Sequence, residues 1–281
     1  MNWVSSFRGH GVVLVTAFLI GGASGAAAER DWSSFQNGGR MSLEDQATPG
    51  DWKLAGEIAW TADLTGYGQS CPVVWGDRVY VTSVEGPQKE TYLVTAYSLA
   101  DGKQLWQHKT KNASPHENSN YVSRAAPTPA ADASGLVCFF EGGNLLGLTH
   151  EGDVRWEMNL VEKYGDIGAR HGLAASVEQD EQSAYIWVER SEEPYILSLD
   201  KQTGEMNWKV AGLGVTSWAS PRLVPVDGGQ QLVLSGVGML VGLDPTTGER
   251  LWTFEGISGN STPTDSVGGG AVFDWGDGGP R

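Results

Sequence analysis

Five positions in this chain carry side chains that could recognise a ligand, and they recur at one place in a repeated pattern. Aligning on Pro72, Pro127, Pro221 and Pro263, with Ala174 standing in the same place in the third copy, the residue two before is always small: Ser70, Ala125, Gly172, Ala219 and Ser261. The residue before that differs every time: Gln69, Arg124, His171, Trp218 and Asn260. An arginine and a histidine converging on one mouth can bind a carboxylate or hold a cofactor. Trp218 can stack a planar ligand, or cap a channel by packing alone. A water-filled channel would tolerate any residue at these five places, so binding is one of two readings.

The elements that would position these residues come from a second pattern. A glycine stands four residues ahead of a tryptophan at Gly56/Trp60, Gly102/Trp106, Gly152/Trp156, Gly204/Trp208 and Gly248/Trp252, so one unit recurs roughly every 50 residues. A charged residue follows each glycine (Glu57, Lys103, Asp153, Glu205, Glu249). A short apolar run holding one small residue precedes four of them, as in Ala96-Tyr97, Gly147-Leu148, Ser198-Leu199 and Gly242-Leu243. This reads as strand, tight turn, strand, with glycine taking the positive φ of the turn. Each of the five tryptophans is expected to dock between neighbouring sheets. Roughly 150–250 Å² per ring at about 25 cal/mol per Å² gives each contact a gross worth of about 4–6 kcal/mol.

Small residues beside variable ones suggest strands converging on a crowded axis, which is propeller geometry. Unit one runs from about Gln69 to Gln107, unit two from Arg124 to Met158, unit three from His171 to Val210 and unit four from Trp218 to Phe254. A fifth unit begins at Asn260-Ser261-Thr262-Pro263 and adds Ala271-Val272-Phe273. Glu57 to Thr61 is predicted to be an isolated outer strand. The fold class expected is therefore all-β, a propeller of four-stranded blades: about four blades plus a partial fifth of a seven- or eight-bladed ring, an open arc whose end faces do not meet. A small ring closed by the strand at Glu57 to Thr61 is the alternative.

Residues 1–28 read as a secretory signal: Arg8 and His10, an apolar run from Val12 to Ile20, and small residues at Ala26-Ala27-Ala28. The run is too short for the roughly 20 residues of a membrane helix. Residues 29–55 form a lead-in, and 56–281 the repeats. Export to the periplasm, the cell envelope or beyond follows, with no transmembrane segment in the mature chain. The formal net charge is −15, and such a surface repels phosphate backbones, so nucleic acid is not an expected partner. Export would permit Cys71 and Cys138 to pair, but they fall at different points of adjacent units, and two free thiols are expected. His116, Glu117 and Asn118 read as a solvated loop. Asp274 and Asp277 do not form a recognisable cation site. No serine–histidine–aspartate arrangement, phosphate-binding glycine loop or zinc spacing has its required context.

Strings such as Leu199-Asp200-Lys201-Gln202-Thr203-Gly204-Glu205-Met206-Asn207-Trp208 and Leu243-Asp244-Pro245-Thr246-Thr247-Gly248-Glu249-Arg250-Leu251-Trp252 resemble the repeat of the pyrroloquinoline-quinone (PQQ)-like β-propellers. The likeness covers about residues 56–281, and Asp31-Trp32-Ser33-Ser34-Phe35 is similar to the start of exported bacterial members. Unit two departs, its Thr149-His150-Glu151-Gly152 turn being one residue shorter. The resemblance implies a propeller fold and leaves three activities open: a binding or scaffolding module for a protein or small ligand, a PQQ-dependent oxidoreductase, or an accessory of outer-membrane barrel assembly. The dehydrogenases resembled use adjacent cysteines, calcium ligands and an aspartate base, none of which this sequence matches. PQQ therefore enters by resemblance alone, and a binding module is the expected function.

Overall fold

The computed structural model describes residues 11–13, 31–39, 58–115, 123–169, 171–190, 192–214, 217–236, 238–256, 266–268 and 271–273. Gly56, Glu57, His116 to Asn118, Asn260 to Pro263, Asp274, Asp277 and most of the signal and lead-in lie outside these residues.

Four four-stranded antiparallel sheets follow one another along the chain, each pairing its strands in sequence order. The first holds β3 (Val73–Trp75), β4 (Arg78–Glu85), β5 (Thr91–Ser98) and β6 (Gln104–Lys111). The second holds β7 (Ala130–Asp132), β8 (Gly135–Phe139), β9 (Asn144–Leu148) and β10 (Val154–Asn159), after which comes one helical turn, α1 (Leu160–Tyr164). The third holds β11 (Glu178–Gln179), β12 (Ser183–Val188), β13 (Tyr195–Asp200) and β14 (Met206–Ala211). The fourth holds β15 (Arg222–Val226), β16 (Gly229–Gly236), β17 (Met239–Leu243) and β18 (Arg250–Glu255). A further pair, β19 (Ser266–Gly268) and β20 (Ala271–Phe273), stands where a fifth unit begins. Four complete blades and a partial fifth are thus present, as the repeat predicts.

The core lies between the sheets. Central strands such as β4 and β5 are buried along their whole middle, because each sheet is covered on both faces. Val73, Tyr80, Leu136 and Phe140 pack the slab between blades 1 and 2. Phe139, Leu145, Ile186 and Leu197 fill the next, and Trp187, Leu223, Leu232 and Val241 the third.

The glycine–tryptophan spacing has a direct physical cause, since each of the first four tryptophans lies on the glycine of the following motif. The Trp60 ring covers Gly102, Trp106 covers Gly152, Trp156 covers Gly204 and Trp208 covers Gly248. A Cβ on Gly204 would sit 2.6 Å from the Trp156 ring, and one on Gly152 or Gly248 2.7 Å from its tryptophan. Gly204 also has φ +72°, so the position excludes a side chain twice over. The indole N–H groups then donate to the same turn: Trp60 to Leu99 O (2.9 Å), Trp106 to His150 O (2.7 Å), Trp156 to Lys201 O (2.9 Å) and Trp208 to Pro245 O (2.9 Å). The small residue in the preceding run sits directly across from the tryptophan, Ala96 from Trp106, Gly147 from Trp156, Ser198 from Trp208 and Gly242 from Trp252. Trp60 and Trp208 are 8% and 9% exposed, and Trp106 and Trp156 are partly buried.

One expectation needs correction. Residues 58–61 of the strand expected at Glu57 to Thr61 are not in a strand, Glu57 lying outside the described residues; the strand here is β2 (Ala62–Leu64), paired with β1 (Gly11–Val13), which lies inside the segment read as a signal. Docking fixes the Trp60 ring, whereas the backbone finds a strand partner only from Ala62 onward. Trp252 donates its N–H to Gln231 Oε1 of its own sheet (2.8 Å); the residues where a following turn would stand lie outside the described residues.

Two further features bind the blades in series. The inner strands are linked by hydroxyls: Cys71 N–H donates to Thr128 Oγ1, Thr128 N–H to Ser176 Oγ and Ser176 N–H to Ser220 Oγ, each at 3.0 Å. The lead-in straps their far ends. Trp32 pairs with Val74 of blade 1, Ser33 O accepts from Ala131 N–H of blade 2, and Arg222 of blade 4 reaches Gln36 (3.1 Å). Among the described residues no helix is long and apolar enough to cross a membrane.

Candidate functional site

Each inner strand is entered through one of the variable positions, and the structure brings four of the five together in order. Gln69 N–H donates to Arg124 O (3.1 Å) while its side-chain Oε1 accepts from Arg124 N–H (2.8 Å), which couples blades 1 and 2. Ser123 N–H donates to His171 O (2.8 Å), coupling blades 2 and 3. The His171 and Trp218 rings face each other at 6.3 Å, their planes inclined by 50°, which carries the series to blade 4. Gln69 and His171 are exposed, Arg124 and Trp218 partly buried, as side chains on the rim of an open mouth should be. Asn260 lies outside the described residues.

The neighbouring small residues show why the approach is close. Gly172 has φ +73°, and a Cβ there would meet the Ser123 Cβ at 2.7 Å. Ala125 is fully buried with φ +49°, a left-handed conformation that is uncommon for a residue with a Cβ. Its N–H donates to both carboxylate oxygens of Glu141 (3.2 and 3.0 Å), and this holds the bend.

Behind the rim lies an ion pair that the sequence did not announce. Lys89 Nζ is 3.3 Å from Glu141 Oε1, both side chains fully buried, and it also donates to Ser123 O (2.9 Å). Burial pushes the Glu141 carboxyl up and the Lys89 ammonium down from their ordinary values, and each charge opposes the other's shift. Glu141 therefore neutralises Lys89 and anchors Ala125. Tyr67, which no sequence pattern singled out either, is 45% exposed and lies under the Arg124 guanidinium, 3.9 Å from ring centroid to Cζ. Among the described residues the Arg124 Nε is buried without a hydrogen-bond partner.

Outside the mouth, a groove of about 490 Å³ runs between blades 1 and 2, lined in part by Lys111, Asn144, Glu157 and Asn159. Its amides serve the fold. Asn144 donates to Lys111 O and accepts from Ala113 N–H. Asn159 caps α1 by accepting from Val161 and Glu162 N–H.

The quinone chemistry implied by resemblance requires adjacent cysteines and an oxygen-rich cation cradle. Cys71 and Cys138 are free and sit on different blades, Cys71 half-buried and Cys138 fully buried with its thiol pushed up to about 12 by burial. No three His, Cys, Asp or Glu side chains among the described residues converge as metal ligands. Among the described residues, those present do not fit that group.

Comparison with known proteins agrees with this geometry. No curated protein matches the chain. Among solved structures it is similar to BamB from Moraxella catarrhalis (17% identity, TM-score 0.53), with 78% of this chain aligned to 62% of that one. It is also similar to the quinohemoprotein alcohol dehydrogenase ADHIIG from Pseudomonas putida HK5 (15% identity, TM-score 0.52), covering 78% of this chain and 37% of that one. A europium-containing methanol dehydrogenase (13% identity, TM-score 0.54) aligns over 73% of this chain and 46% of its own. At these identities the likeness is one of fold, and the chain spans less than two thirds of each of these proteins. The family model described as outer membrane protein assembly factor BamB matches residues 52–175 and 191–272. With most of its length accounted for by that match and its blades docked tryptophan to glycine, the chain belongs to the PQQ-like β-propeller family.

Proposed function

We propose that this chain is an exported binding propeller of the cell envelope that docks a protein partner across the mouth formed by Gln69, Arg124, His171 and Trp218. The observation that carries the reading is the contrast at that mouth: an invariant small residue at each entry and a different, ligand-capable side chain beside it, joined blade to blade. A rim of this kind offers hydrogen-bonding, cationic and aromatic groups within one surface, as binding hot spots do. The signal-like first 28 residues and the family's description support export.

The family description also favours one class of partner, proteins of outer-membrane assembly. Site-specific photo-cross-linking tests both statements. A photoreactive residue at Gln69 or His171, in cells making the full chain, is expected to give a discrete protein adduct, and one at Glu205 on the far turns none. Adducts from Glu205 alone, or from no position, would overturn the reading. An adduct with an outer-membrane protein would support the assembly role, and one with another protein would remove it.

A further inference from the structure

We infer that Arg124 is a carboxylate receptor: its guanidinium, laid on Tyr67 at the mouth, binds an acidic group brought by the ligand. The inference rests on the mouth being the binding surface and names the chemistry recognised there.

The chain treats most of its buried cations alike. Its formal charge is −15, so acceptors are in excess, and partly or fully buried cations find them. Lys89 reaches Glu141, Lys201 reaches Asp132, Arg222 reaches Glu178, Arg190 reaches Glu193, and Arg78 reaches Asp77 and Glu151. Arg155, which makes no ion pair among the described residues but lies in the field of Asp132 and Asp200, donates to Gln202 and to Leu136 O. The Arg124 guanidinium makes no ion pair among the described residues and instead lies over the half-exposed Tyr67 ring; its Nε, like that of Arg155, is buried without an acceptor among those residues.

The side chain is nevertheless fixed. Its own backbone N–H and carbonyl are both held by Gln69, and its plane rests on Tyr67 at 3.9 Å. A long side chain already ordered loses little entropy when a ligand arrives. A planar guanidinium matches the two oxygens of a carboxylate. A doubly charged phosphate would want a second free cation, and the adjacent Lys89 is already neutralised by Glu141. One carboxylate is therefore the matching ligand. It can come from an acidic side chain of a polypeptide or from a free small acid.

The test uses the full chain with an acidic hexapeptide amidated at its C-terminus, the same peptide with every Asp and Glu replaced by Asn and Gln, and succinate. Binding is followed by calorimetry and by the Arg124 side-chain Nε–H resonance. The acidic peptide or succinate should shift that resonance, and Arg124→Ala should weaken binding about tenfold or more. Arg124→Lys, which keeps the charge but loses the planar stack, should fall between, and thermal melting serves to confirm that both variants fold. Binding by the peptide alone assigns a polypeptide source, and binding by succinate alone assigns a small acid. Equal affinity for the amide peptide, unchanged affinity in folded Arg124→Ala, or no binding by any probe would overturn the inference. A protein adduct at Gln69 or His171 in those circumstances leaves the docking reading standing, so the two fail separately.

Discussion

The two ends of the blades obey opposite rules. At the turn end the same contact is repeated four times, a tryptophan ring on a glycine with its N–H on a backbone carbonyl. At the mouth end no two blades present the same side chain, and the groups that hold the bends, such as Glu141 beneath Ala125, belong to single blades. Repetition at one end sets the spacing of the sheets. The other end is thereby released to vary, and that is where a binding surface can be written.

Even the turn end admits substitution where only geometry matters. His150 and Lys201 occupy equivalent places, each giving its backbone carbonyl to the preceding tryptophan. Each side chain then bridges two blades. His150 lies between Tyr80 OH (2.6 Å) and Asp132 O (2.8 Å), whereas Lys201 joins the Asp132 carboxylate to Asp180 O. An aromatic network and an ion bridge perform one mechanical task.

Breaking the turn end should cost most. Trp208→Ala, which empties the slot on Gly248, is expected to destabilise by about 3–5 kcal/mol in chemical denaturation. A loss under about 1 kcal/mol would mean that docking does not fix the sheets. Gly204→Ala comes next, at about 1–3 kcal/mol, because its methyl would enter the Trp156 ring from a left-handed backbone.

Lys201→Met tests the bridge and its pH dependence together. Burial alone would raise the Asp132 carboxyl, but hydrogen bonds from Lys201 and Ser134 together with the Lys201 charge outweigh it and hold the group below its ordinary 3.8. The unfolded chain therefore binds the proton more readily. This contribution is fully present above about 3.8 and is lost as the pH falls through the folded value. Lys201→Met should flatten that acid limb, read from denaturation midpoints between neutral and acidic pH. His150→Leu, which leaves Asp132 and Lys201 in place, should keep it. The smallest effect on stability belongs to Arg124→Ala, within about 0.5 kcal/mol, although it should change binding most.

What the sequence disclosed follows the same division. The glycine, the tryptophan and the small residue opposite it recur because one steric contact recurs, so blade count and strand order could be read directly. The mouth positions could be aligned because Gly172 and Ala125 must be small, whatever stands beside them. Lys89 and Glu141 carried no signal, since each occupies a connection found once in the chain. The hydroxyls of Thr128, Ser176 and Ser220 fall at different offsets from the mouth residues, so no alignment collects them. The docking of Trp60 was legible, but the strand at Ala62–Leu64 was not, because pairing depends on which backbone happens to lie alongside.

The hydroxyl series along the inner strands has a consequence for behaviour among other proteins. β3, β7 and β11 are each the first strand of their sheet, and an unpaired sheet edge is a template on which a foreign chain can extend itself. Natural edges are commonly blunted with lysine or proline. Here Thr128, Ser176 and Ser220 supply side-chain acceptors to the Cys71, Thr128 and Ser176 N–H groups, which lead into those edge strands, so each blade occupies donors that would continue its neighbour's edge. Resistance to aggregation at the axis is then a property of the stacked array, and a blade excised alone would forfeit it.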